Sequence, residues 1–457
     1  MVTLTPTQDK YLPYVLAVAL FMQILDATIL NTSLPQMAQA LGESPLKMQW
    51  AVISYALTLA IFIPISGFLA DKYGTRRVFL AAIIIFCIGS LLCAASPTLI
   101  FLVHGLYKVL AGQMMTPVAR LILVKSYPRN KLLTVMNFAV IPALVAPLVG
   151  PVLGGYIVQY TSWHWIFLIN IPMGIFGFIM GKKLVPALFE DTKRLDWTGF
   201  LLFAAAACGF TLAVEFGSQT GRGFYGLLLS LVASLLIGAY IWHAKRRQAP
   251  LFPLSLFDIR TFRIGITGNL FTRLGISAVP FLLPLLLQVV FEYSPSQAGW
   301  LLAPIAVGAI GIKPWVSKII QRHTYRKVLV FNTFLMGTLI IVLAQFTDAS
   351  QWLWFIPILT IMGACNSMQF SAMNTITIGD LQGAQTSSGN SLMAVNQQLA
   401  ISFGIAFGAA VLTLLRERLQ MDTLTAFQTT YWILGVLTIL SGLYFLRLKP
   451  EDGRGLY

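Results

Sequence analysis

The sequence predicts an all-α polytopic membrane protein, on three observations. Of its 457 residues 57% are hydrophobic and only 10% charged, more apolar side chain than a soluble core can bury. Apolar windows of about 20 residues, the length that crosses a bilayer as helix, recur from end to end of the chain. The 31 Lys and Arg, which leave a formal net charge of +15, cluster between those windows instead of forming a patch on a folded domain. Such clustering orients membrane helices and argues against nucleic-acid binding. The Met1–Lys10 stretch has no charged n-region and no small-residue cleavage site, so the first window is expected to be a retained span.

Turn residues and charge clusters divide the chain into fourteen expected helices, centred near residues 23, 59, 87, 112, 146, 173, 206, 233, 277, 308, 338, 365, 401 and 436. The basic clusters follow the even-numbered spans. They are Lys72, Arg76 and Arg77; Lys125, Arg129 and Lys131; Lys182, Lys183, Lys193 and Arg194; Lys245, Arg246, Arg247 and Arg260; and Lys318, Arg322, Arg326 and Lys327. The opposite connections carry only Lys47, Arg222, Arg416 and Arg418, so both termini are expected to be cytoplasmic. The connection at Asp380 departs from the rule, having neither Lys nor Arg.

Shifting the sequence against itself by 250 positions superposes Ser44-Pro45 on Ser294-Pro295, Trp50 on Trp300, Pro64 on Pro314, Arg76 on Arg326 and Arg77 on Lys327. A duplicated half explains one register held over this stretch. Six helices on each side leave the spans near 206 and 233 as an insertion. The expected organisation is therefore 1–185 for the first half, 186–262 for the two inserted helices with their connection, and 263–457 for the second half.

Several segments carry polar chemistry. Gly67-Phe68-Leu69-Ala70-Asp71-Lys72-Tyr73-Gly74-Thr75-Arg76-Arg77 combines glycines for a tight turn with an acid among cations. Asp26 stands deep in the first apolar run, where a charge costs roughly 2.5 to 3.5 kcal/mol. It is either a proton-exchanging carboxyl or a neutral packing group. Thr28 and Asn31 follow at helical spacing and could extend a polar stripe along a cavity. Gly150-Pro151-Val152-Leu153-Gly154-Gly155 supplies small residues for close helix approach and a proline for a bend, which a plain packing seam also explains.

These motifs resemble the major facilitator superfamily, in its fourteen-spanner drug:proton antiporter branch, the EmrB-type multidrug efflux family with its HsrA-like and MdtD-like bacterial subgroup. Leu25-Asp26-Ala27-Thr28-Ile29-Leu30-Asn31-Thr32-Ser33-Leu34-Pro35 resembles the branch signature of the first span. Trp163-His164-Trp165-Ile166-Phe167-Leu168-Ile169-Asn170-Ile171-Pro172-Met173-Gly174 is similar to its WxWIFxINxPxG segment, with the tryptophans read as an interface belt. The resemblance implies two pseudo-symmetric six-helix halves plus two inserted helices. Gly67, Asp71, Gly74, Arg76 and Arg77 would form a conformational latch, and Gly150, Pro151, Gly154 and Gly155 the antiporter-motif helix. Asp26 and Asn31 would line the cavity. Arg273 maps onto Gln23 under the repeat, so it either approaches Asp26 across the pseudo-twofold axis or packs locally. Lys313-Pro314 looks like the counterpart of the latch in the second half, with Lys313 itself expected to snorkel.

One departure stands out. Where the branch has an arginine in span four, this chain has Gly105, and Lys108 one turn later either replaces the missing cation or is merely tolerated. The resemblance implies export of small amphipathic molecules by proton antiport across the bacterial inner membrane, with uncoupled facilitation, proton symport or a non-transporting receptor as other readings. No cofactor, metal, nucleic acid or obligate oligomer is expected. The four cysteines lie in apolar stretches without a CxxC, and the four histidines (His104, His164, His243, His323) are scattered with no hydrolase or nucleotide-binding motif, so an enzyme is not expected.

Overall fold

The computed structural model describes residues 5–103, 105, 114–127, 129–189, 195–218, 222–382 and 384–453. Among them no strand occurs, and the main helices are α1 (Pro6–Ala40), α2 (Gln49–Tyr73), α3 (Thr75–Ala94), α4 (Met115–Ser126), α5 (Arg129–Tyr160), α6 (Asn170–Leu184), α7 (Trp197–Ser218), α8 (Gly223–Arg246), α9 (Arg260–Ile276), α10 (Pro295–Gly311), α11 (Lys313–Leu343), α12 (Trp352–Gly379), α13 (Ala384–Thr413) and α14 (Thr423–Gly442). Among the described residues, eleven helical segments are long and apolar enough to cross a membrane. Outside that set stand α4, α5, whose apolar stretch Val145–Tyr160 is shorter, and the 17-residue α10, which together are consistent with fourteen crossings.

Local signals place the helix ends. Thr5 caps α1 through a capping box with Gln8, and Pro6 opens the first turn, where its missing N–H costs nothing. Asp422 caps α14 by accepting from the Thr425 amide. The boundary expected between spans ten and eleven, within the basic connection Lys318 to Lys327, falls there: Thr324, inside α11, has φ of 68° and ψ of 153°, which are not helical.

That break reveals the repeat in the backbone itself. Thr324 lies 250 positions after Gly74, which has φ 89° and ψ 136°, and Glu292, with φ 56°, lies 250 after Gly42, with φ 65°. Two pairs of left-handed residues in the register already given by the Ser-Pro and Trp matches make the duplication structural. A threonine in this conformation stores about 1–3 kcal/mol of strain. Thr324→Gly should therefore hold or raise the melting temperature of the purified protein despite the flexibility glycine adds to the unfolded chain. A clear fall in melting temperature would show that the Thr324 side chain contributes more than its backbone costs.

The chain forms two compact units, Met1–Leu195 with Tyr293–Ala306, and Asp196–Glu292 with Val307–Tyr457. In the first, α1 packs along α5 and α6, while α3 packs on α6, where a Cβ at Gly174 would come within 2.2 Å of the Cys87 Sγ. In the second, α7 and α8 form a hairpin that closes where Gly226 meets the backbone of Gly217. Phe210 of α7 sets its ring edge-on to Phe403 of α13, so the inserted pair is seated on this unit. Tyr325, Leu329, Ala372, Ile376 and Phe445 form an apolar cluster where α11, α12 and the segment Leu443–Arg447 meet.

The connection after α8 is pinned by one buried carboxylate. Asp196 accepts from the amides of Gly199 (3.1 Å) and Leu251 (3.2 Å), its Oδ1 lies 2.8 Å from the His243 Nε2, and Arg247 stands 3.6 Å away. Beside it the Tyr240 hydroxyl donates to the Phe252 carbonyl and accepts from its amide. Burial pushes the Asp196 carboxyl up, but the contact with His243 and the two amides outweigh it and hold the group below the ordinary carboxylate range. For a depressed carboxyl the stabilisation is fully present above the unfolded value of about 3.9 and is lost only as pH falls through the lower folded value. Asp196→Asn should therefore speed amide hydrogen exchange of residues 247–259 at pH 7, whereas the wild type keeps its protection to below pH ~4. Equal exchange in the two proteins would contradict this role.

Candidate functional site

Asp26 is 4% exposed on the inner face of α1. Its Oδ1 accepts from the Asn170 Nδ2 at 2.6 Å, and the same Nδ2 lies 3.3 Å from the Ser90 Oγ. The Asn170 Oδ1 is buried without a partner among the described residues. Three helices, α1, α3 and α6, thus meet at one ionisable group, and its partners among the described residues are neutral dipoles. A carboxyl so placed changes charge at little geometric cost, because Asn170 can donate to either form while the protonated acid regains a donor of its own.

The polar stripe beyond Asp26 divides. Thr28 turns to α5, its hydroxyl spent on the Ile24 and Leu25 carbonyls at 2.8 and 3.1 Å, so it serves packing and does not extend the stripe. Asn31 keeps a buried Oδ1 without a partner among the described residues. Arg273, in the other unit, donates through Nε to the Asn269 Oδ1 at 3.0 Å and lies over the Phe370 ring. Each of Asp26 and Arg273 finds its neighbours inside its own unit. Lys108 lies outside the described residues. Gly105 is described, and a Cβ there would stand 2.9 Å from the Cys93 Sγ and 3.1 Å from its backbone nitrogen.

The GPxxGG helix is a contact surface on two sides. A Cβ at Gly150 would meet the Thr28 Oγ1 at 2.1 Å, and one at Gly154 the Ile29 carbonyl oxygen at 2.9 Å, so α1 and α5 touch backbone to backbone. A Cβ at Gly155 would meet the Pro295 carbonyl oxygen at 2.3 Å, and one at Gly299 the Pro151 carbonyl oxygen at 2.3 Å, a reciprocal contact between α5 and the start of α10. The glycines are required by these approaches, as small-residue seams in membranes require them. Pro151 sits within α5, its carbonyl forming one side of that contact.

The loop between α2 and α3 is held from two directions. Asp71 pairs with Lys125 of α4 at 2.5 Å. The segment after α6 runs beneath the loop: the Thr75 amide donates to the Leu188 carbonyl, the Thr75 hydroxyl donates to the Pro186 carbonyl and accepts from the Leu188 amide, and the Arg76 Nε donates to the Val185 carbonyl. A Cβ on Gly74 would press into the Phe189 ring at 2.7 Å. Arg77 is exposed, and a Cβ at Gly67 would meet nothing within 4 Å. Lys313, in the second repeat, is exposed and reaches the Ser371 hydroxyl at 3.3 Å. Gly74→Leu strains the backbone and displaces Phe189 together, so alternation between states should slow at least tenfold in exchange assays while substrate affinity stays within about twofold. Loss of affinity with normal exchange would contradict that.

The model of the Major Facilitator Superfamily matches residues 16–257 and 265–456. The chain belongs to the Major Facilitator Superfamily. It is therefore a multi-pass membrane transporter. Two relatives carry the name "Putative multidrug resistance protein MdtD": one from Pectobacterium atrosepticum, 40% identical over 453 residues and covering 98% of this chain and 97% of the relative, and one from Escherichia coli O6:H1, 40% identical over 457 residues with 98% and 96% covered. Among solved structures, the POT family transporter PepTSo superposes with a TM-score of 0.72 at 13% identity, over 97% of this chain and 98% of that one. A D-xylose-proton symporter gives 0.69 at 13%, over 96% and 98%. At such identities they show a common Major Facilitator fold. Within it, sequence reasoning singled out Asp26 and the α2–α3 loop but missed Asn170, Ser90 and Lys125. Asn170 had a signal, an amide amid the apolar Ile169-Asn170-Ile171 run, that the flanking tryptophans overshadowed.

Proposed function

We propose that this protein exports small amphipathic molecules from the bacterial cytoplasm by proton antiport, with Asp26 as the proton-carrying group. The supporting observation is the Asp26–Asn170–Ser90 cluster, a buried carboxyl whose side-chain hydrogen bond among the described residues comes from a neutral amide, which suits it to gain and lose a proton as its access to water alternates. The multidrug resistance name of the relatives supports export and the substrate class. Both termini lie in the cytoplasm by the distribution of Lys and Arg, and the working unit is a monomer in the inner membrane without a cofactor.

One proton moving down ~150 mV supplies roughly 3.5 kcal/mol, enough for a gradient of a few hundredfold in a neutral substrate. A single titrating site therefore suffices. The test is flux in proteoliposomes: an imposed pH gradient drives a fluorescent amphipathic dye uphill, and collapsing the gradient with a protonophore stops it. Transport that equilibrates the dye regardless of the gradient would establish facilitation, and uptake in the direction of proton flow would establish symport.

A further inference from the structure

Between α9 and α12 lies a small cavity of about 10 Å³ lined by Asn269, Arg273, Asn366, Gln369, Phe370 and Met373 among others. Molecules of drug size occupy pockets of about 300–1,000 Å³, whereas this space has room for about one water-sized group, so it can receive the polar head of a ligand and not its body. Its walls differ in what they can still bind. Gln369 is spent, accepting from Asn332 and donating to the Thr333 hydroxyl, both within 3.0 Å. Arg273 uses only its Nε, on the Asn269 Oδ1. Its two terminal nitrogens make no hydrogen bond and no ion pair among the described residues. The Asn269 Nδ2, on a side chain 7% exposed, is buried and unpartnered. Asn366 is exposed and also turned to the cavity.

An unpaired guanidinium in an apolar helix bundle is expensive, and a buried amide hydrogen without an acceptor adds to the cost. The unspent groups of Arg273 and Asn269 are donors, and the Asn366 amide can add another, so the missing partner is an anion. The fork of two terminal guanidinium nitrogens matches a planar oxyanion with two parallel hydrogen bonds, while Phe370 and Met373 offer apolar surface to whatever the oxyanion is attached to.

We propose that Arg273, Asn269 and Asn366 form a subsite for the carboxylate of an amphipathic organic anion, which makes such acids substrates of the protein. The proposal rests on the exporter reading above and narrows its substrate class. Carboxylate and phosphate share this chemistry; the flat, two-oxygen face and the limited space favour carboxylate.

The experiment measures binding of 1-naphthoate, 1-naphthamide and 1-naphthyl phosphate to the full chain in phosphatidylcholine nanodiscs by calorimetry. The wild type is expected to bind naphthoate at least tenfold more tightly than the amide and than the phosphate. Arg273→Gln should erase that preference, with its folding read from its melting temperature in the same nanodiscs; Arg273→Lys should keep only part of it. Equal binding of naphthoate and naphthamide by the wild type overturns the proposal, and that comparison stands even if Arg273→Gln does not fold. A retained preference in folded Arg273→Gln overturns it too, and phosphate binding as tight as naphthoate overturns the carboxylate assignment. Proton-driven flux is read separately. Selective binding without proton-driven export defeats the antiport reading and leaves the subsite standing, whereas proton-driven dye export without the preference defeats only the subsite.

Discussion

Asp26→Asn should leave the protein folded and able to bind substrate yet reduce export driven by a pH gradient at least a hundredfold, to the level of empty liposomes. Folding should survive because the new amide oxygen still accepts from the Asn170 Nδ2, the only side chain hydrogen-bonded to Asp26 among the described residues. The substitution also removes a group whose charge costs roughly 2.5 to 3.5 kcal/mol in an apolar helix, so insertion should not suffer. What is lost is the proton. An amide cannot pick one up on one side and release it on the other, so substrate movement no longer draws on the gradient. Substrate-for-substrate exchange, which needs alternation without net proton transfer, should persist. Gradient-driven transport by Asp26→Asn at wild-type rates would move the coupling site elsewhere in the chain.

The parts of this molecule legible in the sequence are those written in short-range patterns. Apolar windows and basic clusters predict the helices, because a bilayer requires unbroken apolar stretches and the charge bias between them orients the chain. The repeat was visible in Ser-Pro and Trp matches, and the backbone extends it to Gly42 with Glu292 and Gly74 with Thr324, where one partner of each pair is not glycine and so carried no signal. What the sequence concealed are contacts between helices distant along the chain. Asn170 reaches Asp26 across 144 positions and Lys125 reaches Asp71 across 54. No local spacing announces such pairs. The strap of Val185–Phe189 under the α2–α3 loop is hidden for another reason, since it bonds mostly through backbone groups that every residue possesses.

Gly105→Arg, which would return the residue that the antiporter branch carries in span four, should abolish transport by disrupting the fold. The sequence left open whether Gly105 is a bare substitution compensated by Lys108 or a residue with a task of its own. The approach to α3 supports a task. A Cβ at 105 would lie 2.9 Å from the Cys93 Sγ, 3.1 Å from the Cys93 nitrogen and 3.3 Å from the Leu92 carbonyl carbon. The sulfur can rotate away, but the other two atoms are backbone and move only with the helix. Overpacking of this kind costs about 1–3 kcal/mol for a few added methylenes, and an arginine adds more atoms and a charge. Gly105→Ala should lower the melting temperature modestly, and Cys93→Ala should restore it by removing the nearest atom. Cys93→Ala should not rescue Gly105→Arg, because the backbone contacts remain. A Gly105→Arg protein with wild-type expression and melting temperature would show that α3 yields at Cys93 and would reopen the site to a cation. For the same steric reason Gly105→Arg is not expected to restore coupling in a Lys108→Met background. The role of Lys108 is decided by Lys108→Met alone: a shifted proton-to-substrate stoichiometry or pH profile makes it the replacement cation, and unchanged values leave proton transfer to Asp26 and the neutral donors around it.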